Sequence, residues 1–226
     1  MKSIIYRKGC LACFLGMMLL VMQSSACAQS SDESNIAKLA SASSNIPPSI
    51  HDSLVKRLQD QHQGLLRSSI IVIDISEQAL YHYKDDQLAA KFSISSAAKG
   101  VGSESGSGKT PLGAHRISQK FGDRAPLGTI FKARRNTGVI AKIIKDPIDV
   151  PSDAVTTRVL WLDGLEAGKN KGGNVDSKRR YIYIHGTPEE GLIGRPASHG
   201  CIRMYNRDVV ELFNEAPVNS IVYIQQ

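Results

Sequence analysis

Cysteine is scarce in this chain and badly distributed for pairing. Of four in 226 residues, Cys10, Cys13 and Cys27 crowd the first stretch and Cys201 stands alone far downstream. A disulfide framework needs partners spread through the folded domain, and a structural zinc site needs ligands paired at short spacing, so both are disfavoured. Aromatics are also few, at 6% with one tryptophan, and the one sustained apolar run lies near the N-terminus. The chain shows no internal repeat, no Gly-X-Y period and no succession of long apolar segments. That excludes repeat, collagenous and polytopic membrane classes. What is present, 42% hydrophobic and 22% charged residues, suits a globular domain with enough chain to bury a core without staples.

The first 28 residues read as an export signal. Lys2, Arg7 and Lys8 form a positive start, and the apolar stretch from Leu11 to Met22 is short for a bilayer span. Ala26-Cys27-Ala28 supplies the small-residue cleavage pattern, which places the mature start near Gln29. A retained anchor and a lipoprotein acylated at Cys27 are the weaker alternatives, the latter because Ser24 stands where a Leu-like residue is usual. Removing Lys2, Arg7 and Lys8 with residues 1–28, which hold no acid, lowers the formal charge from +7 to +4. No dense basic helix or RNA-binding aromatic pattern accompanies that modest excess, so nucleic-acid binding is disfavoured. No membrane span is expected after cleavage.

Residues 29–49 are rich in Ser, Ala and Asn and end in Pro47-Pro48, a flexible tether. Ile50, Leu54, Val55, Leu58 and Leu65 fit one helical stripe, predicting a helix over 50–66. The period then changes. Ser69–Ile75, Ala79–Tyr83 and Leu88–Ile94 read as three successive strands, with a turn over Lys84–Gln87 between the last two. Residues 99–113 invite a phosphate-loop reading, but Ser103 occupies the first glycine position and Pro111 follows Thr110 where a helix would start. They are read instead as a Gly/Ser loop entering a strand at Ala114–Ile117. Residues 121–180 contain one strand signal, Val159–Leu162, and a basic loop with Lys169, Lys171, Lys178, Arg179 and Arg180. This segment is expected to be a cap or loop insertion.

The chemistry concentrates between Tyr181 and Asn206. Tyr181-Ile182-Tyr183-Ile184 is a strand that delivers His185-Gly186 at its end, and Ser198-His199-Gly200-Cys201-Ile202-Arg203 follows after a turn-rich gap. A thiolate attacks carbonyls far better than a thiol, so a catalytic cysteine needs a basic neighbour. If residues 199–201 are extended, His199 projects to the same side as Cys201, while His185 reaches it from an adjacent strand. Gly200 would leave its N–H available for an oxyanion. Arg203, on the same face, would hold a substrate carboxylate. An inert buried cysteine and a zinc site built from His185, His199 and Cys201 are the competing readings. The combination of groups favours catalysis, and the spacing leaves open which histidine is the base.

His185-Gly186, the gap, and Ser198–Arg203 resemble the signature of the L,D-transpeptidase catalytic domain, the YkuD-like family, over residues 68–226, and Ser107–Ile117 resembles its Thr-Pro-x-Gly strand entry. The resemblance implies a mainly β domain, a sandwich of mixed sheets with short helices and the site in a groove. It implies cleavage of peptidoglycan stem peptides between the third residue, a diamino acid, and D-alanine. The thioester would be carried by Cys201 and the acyl group passed to an amine, making a 3→3 cross-link without a metal or cofactor. It assigns Cys201 as nucleophile, His185 as proton donor and acceptor, and the Gly186 carbonyl as the group orienting that ring. His199 would give support, and Ser198, Gly200, Arg203, Tyr183 and Asn206 would line the substrate site. It also implies a carbapenem target in the periplasm. Water or a lipoprotein lysine as acceptor, and a non-catalytic wall-binding protein, are the alternatives. No separate wall-binding module precedes the domain, and 121–180 is long for a minimal version.

Overall fold

The computed structural model describes residues 51–150 and 153–226. The expected signal peptide, the tether over 29–49 and Cys27 lie outside the described residues. Among these, no helix is long and apolar enough to cross a membrane.

The β-branched run Ile70-Ile71-Val72-Ile73 forms the middle of β1 (Leu66–Asp74) and is buried throughout, because the strand is covered on both sides. Side chains alternate along it. Ile71 and Ile73 join an interior cluster with Leu160, Leu162 and Val222, whereas Ile70 and Val72 pack with Leu54, Val55 and Leu58 of α1 (Asp52–Gln61). Those three residues form the apolar stripe of α1, and burying a leucine such as Leu58 stabilises by about 1.5–3 kcal/mol. The helix is shorter than the 50–66 stripe, since the His62 N–H closes on Leu58 O and Leu66 already belongs to β1.

β2 (Ala79–Lys84) and β3 (Gln87–Ser95) continue antiparallel, joined by Asp85 and Asp86 at φ 47° and 67°, the positive values a tight hairpin requires. Then come β4 (Gly113–Phe121), β5 (Thr129–Lys132), β6 (Arg135–Ile140), β7 (Val155–Gly164), β8 (Tyr183–Gly186) and β9 (Ile202–Met204). Helix α2 (Asn206–Glu215) and β10 (Ser220–Gln225) complete the order.

The domain is mainly β, but not a sandwich of separate sheets. All these strands belong to one sheet in the order β4-β10-β1-β2-β3-β9-β8-β7-β5-β6, and β4 pairs with β7 as well. Arg116 of β4 faces Ile221 of β10 on one side and Asp163 of β7 on the other, so the sheet curls into a closed ring. Closure removes the edges that a sandwich would leave open. The pairing is mixed, with β1–β10 and β8–β9 parallel and the rest antiparallel. Val209, Leu212, Phe213 and Ala216, in and just after α2, fill the interior together with the inward residues of the strands.

The segment expected to cap the site divides. Val155–Gly164 is a wall strand of the ring, while β5 and β6 form a hairpin outside it, with β6 exposed along its whole length. Along β7, β8 and β9 the alternation separates two faces. Leu160, Leu162, Ile184, Ile202 and Met204 point into the interior cluster. Val159 pairs with His185, Trp161 with Tyr183, and His185 with Arg203, so these side chains share the outer face.

Candidate active site

Cys201 immediately precedes β9 and packs on that outer face beside Val159, Trp161 and Tyr183. It is reached through a bend, not an extended strand. Gly200 sits at φ 127°, a conformation that side chains resist, and a Cβ there would stand 3.2 Å from the Lys109 carbonyl. Ser198 braces the bend: its Oγ donates to Cys201 O at 2.6 Å and accepts the Gly200 N–H at 3.2 Å. The Gly200 N–H expected to serve an oxyanion is therefore engaged, and Ser198 holds backbone in place of lining a substrate groove.

The sulfur is held by two tyrosine backbones. Tyr183 N–H donates to Sγ and the thiol donates to Tyr181 O, each at 3.4 Å. The parallel pairing of β8 with β9 produces this, since Ile184 opposite Ile202 sets Tyr183 beside Cys201. His185 stands one alternation further along the same face, buried. Its Nδ1 lies 2.7 Å from Gly186 O. A carbonyl only accepts, so Nδ1 carries the proton and Nε2 is left with a lone pair. Gly186 is required there, because a Cβ would fall 2.5 Å from Asn206 Oδ1 and 2.9 Å from Thr156 O.

The other residues singled out by the sequence go elsewhere. His199 is exposed on the bend and its Nδ1 lies 2.9 Å from Asp153 Oδ2, so it turns to a carboxylate and not to the sulfur. Arg203 is fully buried. Its Nη2 stands 2.8 Å from Asp153 Oδ1 and its Nη1 2.8 Å from Glu189 Oε2, so it faces two carboxylates of this chain and presents no open fork to a substrate. Asn206 is buried at the start of α2, donating to Thr187 O and Glu190 Oε1 and accepting from the Thr156 and Thr157 hydroxyls. It ties β7, the strand end and α2 together beneath the site. Tyr183 contributes its backbone to the sulfur and its hydroxyl to Arg134, 3.0 Å away.

Two carboxylates were not singled out from sequence, and the Gly/Ser loop was read only as the entry to a strand. The buried cation Arg203 demands counter-charge, and that signal points toward nearby Glu189; Asp153 lies fifty positions away in a loop that carries no pattern. The Gly/Ser loop is a wall of the site: Thr110 Oγ1 donates to Gly200 O at 3.1 Å, and Arg180 pins the loop through Lys109 O at 2.7 Å and Gly102 O at 3.3 Å.

Electrostatics favour neutral partners at rest. Burial pushes the Cys201 thiol up to about 12; the Asp153 charge adds to this, while the Tyr183 N–H, Arg203 and Arg180 oppose it. Burial holds the His185 imidazole below its ordinary value, against the pull of Asp153 and the Gly186 hydrogen bond. Asp153 itself is lowered despite the desolvation that opposes it, because His185, Arg203 and His199 all favour its charged form. The site thus offers a thiol, an imidazole with a free lone pair on the same face, and a charge-balanced floor. That arrangement can deliver sulfur to a carbonyl as its proton is removed.

A family model described as the L,D-transpeptidase catalytic domain, YkuD, matches residues 68–224. The candidate L,D-transpeptidase YqjB of Bacillus subtilis is 51% identical over 45 residues, 20% of this chain and 26% of that protein. The candidate L,D-transpeptidase of the ATP synthase subunits region (ORF 5) of Fuscovulum blasticum is 29% identical over 117 residues, 50% of this chain and 59% of that protein. The aligned parts thus span between a quarter and three fifths of these relatives' own length. Among solved structures, L,D-transpeptidase 3 from Mycobacterium tuberculosis in complex with a faropenem-derived adduct aligns at 16% identity and a TM-score of 0.44, covering 70% of this chain and 60% of that one.

Proposed function

This chain belongs to the L,D-transpeptidase catalytic-domain family, and we propose that it is exported and acts on peptidoglycan stem peptides through a thioester on Cys201. The observation that carries this reading is the shared face of Cys201 and His185, with Nδ1 tied to Gly186 O and Nε2 left to accept a proton. In the proposed reaction the thiol turns from Tyr181 O toward the imidazole. His185 Nε2 takes its proton as sulfur attacks the carbonyl of the third residue. The bond to D-alanine breaks, and the imidazolium returns the proton to the departing amine. An amine of a second stem then attacks the thioester, His185 removes a proton from it, and that proton passes to the leaving sulfur. Both groups rest neutral, so the thiol proton has to pass to His185 for the sulfur to attack. Cleavage near Gln29 and work in the periplasm complete the proposal.

Intact-mass analysis tests it. Protein incubated with purified tetrapeptide muropeptides should gain the acyl mass and release D-alanine, and Cys201→Ala should do neither; undiminished activity in that variant sinks the reading. Product masses separate the acceptors: cross-linked dimers for an amine, trimmed tripeptides for water, peptide-linked protein for a lipoprotein lysine.

A further inference from the structure

Arg203 is sealed between Asp153 and Glu189, so the binding of a substrate carboxylate must fall to another cation. Arg134 is so placed. It stands in the tight turn between β5 and β6, where Ala133 and Arg134 adopt φ 44° and 66°, and the turn bends its side chain back across the outer face of β7 and β8. Its guanidinium lies 4.2 Å over the Trp161 ring and 5.3 Å from the Tyr181 ring. Those rings are stacked at 28° with centroids 6.0 Å apart, and Tyr183 meets Trp161 edge-on at 78°. Trp161 is itself anchored through Nε1–H to Lys178 O.

A guanidinium resting on an aromatic face keeps its N–H groups in its own plane, free to form a fork with a carboxylate. Among the described residues, Arg134 spends Nη1 on the Tyr183 hydroxyl and its remaining edge meets no protein acceptor. The residue is half-buried, with part of its side chain reaching solvent. Arginine normally loses much rotamer freedom when it binds; here two rings and the Tyr183 hydroxyl already hold it, which lowers that cost. The same tyrosines fix its relation to the nucleophile, since Tyr181 O and Tyr183 N–H both hold Sγ. The cation therefore lies at the hydroxyl end of Tyr183, whose backbone N–H at the other end meets the sulfur.

That placement chooses among the carboxylates of a stem peptide. The D-alanine carboxylate is a few bonds from the attacked carbonyl and leaves with its residue, whereas in a stem whose diamino acid is diaminopimelate the second carboxylate, at the far end of the side chain, extends well away from it. We propose that Arg134 binds the side-chain carboxylate of the diamino acid whose carbonyl Cys201 attacks, and so selects stems with that carboxylate free over stems in which it is an amide. This rests on the transpeptidase reading above.

The test is calorimetric binding of two tetrapeptide stems, one with the free side-chain carboxylate and one with its amide, to Cys201→Ser protein with Arg134 intact or replaced. The acid should bind about tenfold or more tightly than the amide, a difference of about 1.4 kcal/mol. Arg134→Gln should remove that preference, weakening the acid stem far more than the amide, and Arg134→Lys should restore part of it, because a point charge lacks the fork. Equal affinities in the Arg134 protein, or a preference that survives Arg134→Gln, overturn the inference. Acyl-enzyme formation by the protein with Cys201 is read separately by mass: its absence with both stems defeats the transpeptidase reading, while the binding comparison still decides the role of Arg134.

Discussion

Arg203 Nη2 lies 2.8 Å from Asp153 Oδ1, which joins a fully buried cation on a wall strand to a carboxylate in the loop before β7. Glu189 takes the other side of the same guanidinium. The consequence reaches past the ion pair, because Asp153 also favours the protonated forms of His185 and Cys201. One carboxylate thus steadies the floor and tunes both partners above it.

Glu189 is buried against Arg203, and removing its charge leaves that guanidinium with Asp153 alone. Glu189→Gln should lower stability by about 1–3 kcal/mol, since Arg203 loses one carboxylate and keeps the other. Urea unfolding read by far-ultraviolet circular dichroism measures it, and a loss below about 1 kcal/mol would show that the pair contributes little.

The resting thiol is pushed up to about 12. Iodoacetamide alkylation of Cys201 should therefore climb with pH through the neutral and alkaline range, with no plateau near pH 7. Asp153→Asn should accelerate the reaction at fixed pH, because it removes a negative charge that opposes the thiolate. A rate that levels off around neutrality would instead show a preformed thiolate–imidazolium pair.

His115 is buried on β4, with Nδ1 2.9 Å from Gly113 O and Nε2 2.9 Å from Ser177 Oγ, and burial lowers it to about 4. Unfolded, it returns to about 6.5. The unfolded chain thus binds this proton first as pH falls, so the contribution is complete above pH 6.5 and is lost on the way down to pH 4. The loss from this one group is about 3 kcal/mol. Urea midpoints across that range should fall with acid in the natural protein and fall less steeply in His115→Gln; identical slopes would remove His115 from the acid response.

Much of the fold is legible locally. The isoleucine and valine run of β1 and the Asp85-Asp86 hairpin depend on side-chain alternation and turn geometry, which are properties of neighbouring residues. The strand expected over Tyr181–Ile184, by contrast, forms two residues later, at Tyr183–Gly186, because Tyr181 takes a turn at φ 58°. Ring closure is not of that kind. Nothing in Gly113–Phe121 states that it pairs with both β10 and β7, and a sandwich satisfies the same alternation. Val159–Leu162 read correctly as a strand inside a segment otherwise expected to cap the site, because its own pattern was strong while its partners lay far away.

The candidate site divides along the same line. By itself the sequence determined the family, a lone downstream cysteine behind Ser198-His199-Gly200, and a histidine at a strand end, because those are identities and short spacings. Which histidine shares a face with the sulfur was decided by the bend at Gly200 and by the parallel register of β8 with β9. Tertiary structure also turned His199 toward Asp153, sealed Arg203 between two carboxylates, and laid Arg134 across Trp161 and Tyr181. Charge pairing acts through space between segments tens of residues apart, so it leaves no periodic trace in the chain until the folded sheet brings those segments together.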